Sequence, residues 1–227
     1  MGDAIEAVIF DWGGTLTPWH NVEPLEAWLA AVGDAELAAR LLAAEQEIWI
    51  RSRDEHRSAT LAEVFAAVDL EHTAEMLQSF HEWWEPHTFL DPDVPDLFAG
   101  LQERDIRVGI LSNTIWPRSE HERIFQRDGV LELIDGAVYT SEIPWTKPHP
   151  EAFRAALHAV GVGDAAAAVF VGDRPFDDIH GAKSAGMRAV LVPNSDIPEV
   201  QAGPVEGDPD AVVHRLAELL PIVDSWR

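Results

Sequence analysis

Five short aliphatic runs punctuate the chain, at 5–10 (Ile-Glu-Ala-Val-Ile-Phe), 106–111 (Ile-Arg-Val-Gly-Ile-Leu), 136–139, 168–171 (Ala-Val-Phe-Val) and 188–192 (Arg-Ala-Val-Leu-Val). Their Val, Ile and Leu content reads as buried strands. Helical signals separate the later runs. Pro150 stands in a first turn with Gly161 just past the end, Asp177 opens a helix that Gly186 closes, and Asp208-Pro209 opens a last one over Ala211–Leu220. Strands alternating with helices predict an α/β fold with a doubly wound, Rossmann-like parallel sheet.

The stretch from 18 to 88 breaks that alternation. It contains no convincing strand and predicts helices near 23–32 (Pro24 early, Gly33 after), 35–56, 61–69 and 74–85, the last ended by Pro86. Thr60 with Glu63 forms a capping-box pattern ahead of the third. The expected organisation is therefore a core of 1–17 and 89–227 with a small helical cap, 18–88, inserted after the first strand. Segment 193–209, with four Pro and two Gly, reads as a loop.

Composition narrows the possible functions. At 227 residues and 47% apolar content the chain is long enough to bury a generous core. No apolar stretch approaches the ~18 residues of a membrane span. Met1-Gly2-Asp3 leads straight toward a strand without the basic start of a signal peptide, and Glu6 breaks the myristoylation pattern. The absence of cysteine removes disulfides, thiol nucleophiles and Cys-ligated zinc, so any metal is held by oxygen or His, and a cytoplasmic location is expected. A net charge of −24 argues against nucleic-acid and anionic-membrane partners. It leaves a small phosphorylated substrate open, because a bound Mg²⁺ and one Lys reverse the sign locally.

The candidate chemistry gathers at the ends of the apolar runs. Asp11 closes the first and opens Asp11-Trp12-Gly13-Gly14-Thr15; alone, such an Asp reads as a helix cap. Ser112-Asn113 follows the second run and alone reads as a turn. Lys147 precedes Pro-His-Pro in a chain with 14 Arg and only two Lys, which suggests that a compact ammonium is wanted there. Gly172-Asp173 closes the fourth run, and Asp177-Asp178 follows within the same stretch.

These four stretches, in order, resemble the motifs of the haloacid dehalogenase-like (HAD) hydrolase superfamily. Gly172-Asp173 through Asp177-Asp178-Ile179-His180-Gly181-Ala182 is the most specific match. The resemblance implies a nucleophilic Asp11 that forms an aspartyl-phosphate. It implies Mg²⁺ on Asp11, the Gly13 carbonyl, Asp173 and Asp178, with Asp177 as the alternative second acid. It also implies phosphoryl contacts from Thr15, Ser112 and Asn113 beside the turn at Gly14, and an electrostatic role for Lys147.

One residue departs from the pattern, since the family's phosphatases carry a second Asp where this chain has Gly13. That Asp supplies general acid–base catalysis worth roughly 10²–10⁴-fold. A slow phosphatase, a stand-in base such as His20 or His56, a 2-haloacid dehalogenase, and a member that binds a phosphorylated ligand without turning it over are the readings that follow. The Schiff-base chemistry of phosphonoacetaldehyde hydrolases is disfavoured, because 18–88 contains no lysine. In the cap, Arg51 reads either as an anion contact or, four residues after Glu47, as a helical ion pair.

Overall fold

Strands that are apolar on both faces need cover on both sides. The chain supplies it with a parallel sheet, β1 Ala7–Phe10, β2 Arg107–Ser112, β3 Gly136–Tyr139, β4 Ala168–Gly172, β5 Arg188–Leu191 and β6 Ala211–Val212, in the order β3-β2-β1-β4-β5-β6. This is a computed structural model that describes residues 4–20, 22–193, 201, 203–204 and 207–227. Alternate residues of β1 divide between two cores. Val8 and Phe10 pack with Phe98 and Leu101 and with Leu219 and Val223, while Ala7 and Ile9 pack with Phe153, Leu157 and Phe170. Phe10 lies opposite Ile110 on one side and Val171 on the other. The residues that follow therefore leave the sheet at one edge, beside the point where strand order reverses and open α/β sheets bind their ligands.

Between β1 and β2 come the inserted helices, α1 Pro24–Val32, α2 Ala35–Glu55, α3 Leu61–Ala66 and α4 Ala74–Trp84, followed by a 3₁₀ turn at Glu85–His87. Local chemistry fixes their ends. Asp34 accepts from Leu37 N–H at 2.8 Å, Thr60 and Glu63 form the capping box, and Gly33 takes the left-handed conformation that ends α1. Their apolar faces bury Trp28, Phe65 and Phe80 together with Ile115, Trp116 and Ile124 from beyond β2. Contacts that stitch them down beside the sheet edge include Leu61 N–H to Ile115 O (2.8 Å), Thr146 N–H to His56 O (3.0 Å), Ser58 N–H to Pro144 O (3.2 Å), and Ser52 Oγ with Thr146 Oγ1 (3.1 Å).

The remaining helices are α5 Val94–Gln102, α6 Arg118–Arg127, α7 Pro150–Ala159, α8 Gly181–Ser184 and α9 Leu219–Ser225. α7 lies where Pro150 and Gly161 place it, with Gly161 at φ 68°. The helix expected from Asp177 starts as a π-helical turn, Pro175–His180, and passes into α8. The helix expected over Ala211–Leu220 is a correction. Ala211 and Val212 instead pair with Val190 and Leu191 as a sixth strand, and helix resumes with a 3₁₀ turn at Leu216–Glu218 ahead of α9. Tertiary pairing overrides the Asp-Pro start signal there. Most of the loop expected at 193–209 lies outside the described residues.

Candidate active site

Because β1, β2 and β4 end side by side, Asp11, Ser112 and Asp173 converge, all at most 5% exposed. Lys147 arrives from the loop after β3, immediately past the Thr146 stitch and before a cis Pro148, and is 2% exposed. Its Nζ donates to Asp11 Oδ1 and to Asp178 Oδ1, both at 2.6 Å. Burial pushes the Lys147 ammonium down, but two carboxylates in direct contact outweigh it, so the net displacement is upward and the group stays charged. Burial raises Asp11 and Asp178 against that same ammonium. Asp178 Oδ2 also accepts from Arg174 N–H at 2.9 Å. A Cβ at Gly172 would overlap the Asp178 carboxyl, which explains the glycine.

The two glycines of the first motif differ in what they permit. Gly14 has φ 88°, and a Cβ there would run into Trp19 and approach Asp173 Oδ2 to 2.6 Å, so the turn needs glycine. A Cβ on Gly13 would meet nothing within 4 Å. Thr15 Oγ1 lies between two acids, 3.5 Å from Asp11 Oδ2 and 3.4 Å from Asp173 Oδ1. On the β2 side, Asn113 spends its side chain on the Lys147 backbone, accepting from its N–H at 2.8 Å and donating to its O at 3.1 Å. That clamp fixes the Ser112 loop relative to the ammonium.

Among the described residues, Asp11, Asp173 and Asp178 form a buried set in which one oxygen of each lies within 4.8 Å of the other two. Asp177 faces Arg174 instead, at 3.4 Å, and burial raises it. Hard oxygen donors outnumber the local cations, four carboxylates against Lys147 and Arg174. Such a donor set fits a hard divalent ion such as Mg²⁺.

Two members of this neighbourhood carry little sequence signal. Burial lowers the Arg174 guanidinium, the carboxylates around it more than offset this, and it donates to Gln201 at 2.8 Å. Trp19 donates from Nε1 to Asp173 Oδ2 at 3.2 Å. Only the left-handed requirement at the Gly14 turn could have hinted at a close overlying group.

The remaining sequence candidates make contacts of their own. His20 packs on His87 with ring centroids 5.1 Å apart, and His56 sits 6.3 Å from the Phe176 ring. Arg51 pairs with Glu63 at 3.4 Å and donates to Ser58 O, correcting the expected Glu47 pair. It lines an open groove of about 740 Å³ with Arg40, Glu47 and Asp54.

Comparison with known proteins bears on the family and the fold. A family model for haloacid dehalogenase-like hydrolases matches residues 5–186. A glyceraldehyde 3-phosphate phosphatase of Methanopyrus kandleri is 25% identical, across 96% of this chain and 97% of its own length. A HAD phosphatase from Thermococcus onnurineus superposes with a TM-score of 0.69 at 24% identity, covering 96% of this chain and 98% of that one. A 2-haloacid dehalogenase from Pseudomonas syringae superposes with a TM-score of 0.65 at 27% identity, covering 98% of this chain and 100% of that one.

Proposed function

The chain belongs to the haloacid dehalogenase-like hydrolase family, and on that premise we propose that it hydrolyses a small phosphate monoester through Asp11, with Mg²⁺ as cofactor. The observation that carries the reading is the buried set itself: Asp11 held by Lys147 at 2.6 Å, with Asp173 and Asp178 close enough to share one cation. Asp11, the Gly13 carbonyl, Asp173 and Asp178 are the residues that would hold the ion. When bound, the ion offsets carboxylate charge and draws the anionic ester in.

The chain's own residues divide the work. A carboxylate oxygen of Asp11 forms the bond to phosphorus while the ester oxygen leaves with its electron pair. Water then cleaves the aspartyl-phosphate, returning the carboxylate and inorganic phosphate. The Ser112 hydroxyl, the Asn113 backbone N–H and Thr15 hold phosphoryl oxygens, and Lys147 offsets their charge. Gly13 brings no proton to the leaving group and no base to the water, so both steps are slow and activated esters are favoured. The inserted helices act as a cap whose closure excludes water.

A 2-haloacid dehalogenase is the second reading, favoured by the missing side chain at Gly13 and the Pseudomonas syringae neighbour; the set of three carboxylates favours the phosphatase. A panel of phosphate esters and 2-haloacids, run with Mg²⁺ and with EDTA, tests this. Metal-dependent phosphate release is expected, and metal-independent halide release would reverse the order.

A further inference from the structure

Trp19 lies in the linker between the first motif and α1, so it belongs to the segment that carries the inserted helices. Its indole covers the Gly14 turn and faces the Arg174 guanidinium, with the guanidinium carbon 5.5 Å from the ring centroid. The two oxygens of Asp173 consequently have different surroundings. Oδ1 shares Thr15 Oγ1 with Asp11 and so faces the nucleophile, whereas Oδ2 faces the linker and accepts the indole N–H at 3.2 Å. A carboxylate holds a metal best when a donor fixes the oxygen that does not ligate, because that bond sets the orientation of the other.

We propose that Trp19 is a positioning residue for the divalent cation: its indole N–H fixes Asp173 Oδ2, turns Oδ1 toward Asp11, and thereby couples metal affinity to the linker of the inserted helices. The inference rests on the Mg²⁺ reading above. Indole suits the place because it is a neutral donor on a rigid, flat ring. It adds no charge to compete with the ion, and the ring packs over a glycine that admits no side chain.

The test is Mg²⁺ titration of the purified full chain by calorimetry, without substrate, for wild type, Trp19→Phe and Trp19→His. Phe keeps the ring and removes the N–H; His keeps an N–H on a smaller ring. Trp19→Phe should weaken Mg²⁺ binding by roughly tenfold while its melting temperature in EDTA stays at the wild-type value, and Trp19→His should recover part of the loss. Trp19→Phe binding Mg²⁺ as tightly as wild type, or more tightly, overturns the assignment. A wild type that shows neither heat nor thermal stabilisation on Mg²⁺ addition overturns the metal reading itself, and this inference with it.

Discussion

At position 13 a Cβ has room, and at position 14 it has none. The first glycine is therefore a matter of chemistry and the second of backbone. Gly13→Asp should fold and should accelerate the slow hydrolytic step by up to roughly 10²-fold, read as steady-state turnover of p-nitrophenyl phosphate. Asp11→Asn should abolish turnover. Lys147→Ala should lose most of it, and Lys147→Arg should fail to restore it, because a planar guanidinium cannot reach two carboxylate oxygens the way an ammonium 2.6 Å from each does. Asp11, Ser112, Lys147, Asp173 and Asp178 were legible as candidates because each sits at a fixed offset from a strand end or a family-like motif. Trp19 and Arg174 were not, since what marks them is contact across 154 residues or with several acids at once, and no local spacing encodes that.

The inserted helices were legible for a local reason. Pro24, Gly33, Asp34, Thr60 with Glu63, and Thr73 write helix starts and stops into the sequence, and the caps form. α6 carries a sparse apolar pattern, with only His121, Ile124 and Phe125 buried, and α5 contains both a Pro and a Gly, so neither stands out from the sequence. β6 exists only by pairing with β5. Asp34→Ala should cost about 1 kcal/mol of stability through the lost cap, seen as a lower urea midpoint with turnover unchanged. Thr146→Val acts on the other end of α2, removing the hydroxyl contact with Ser52 one residue before Lys147. It should reduce turnover more than it reduces stability, and an equal loss in both would count against coupling between α2 and the Lys147 loop.

Over the whole molecule, the inserted helices and the sheet meet in an aromatic cluster that includes Trp12, Phe80, His81, Trp116, His121 and Tyr139. His121 is fully buried there; burial first, then His81 and Arg118, push its pKa down to about 3. The unfolded chain takes up that proton below about 6.5 and the folded chain refuses it, so stability should fall as pH drops from about 6.5 toward 3, by up to ~1.4 kcal/mol per unit. Urea midpoints at pH 7.5 and 5.0 check this, and His121→Phe should flatten the dependence; an unchanged slope would refute it. Among the described residues no helix is long and apolar enough to cross a membrane. The central claim, phosphoryl transfer to Asp11 in a site lacking its resident base, is tested most directly by rapid-quench mixing with p-nitrophenyl phosphate and Mg²⁺. The account predicts a burst approaching one p-nitrophenolate per chain followed by a slow steady rate, absent in Asp11→Asn and in EDTA. Release no faster than the uncatalysed rate, with metal-independent chloride release from 2-chloropropionate by the same preparation, would contradict it.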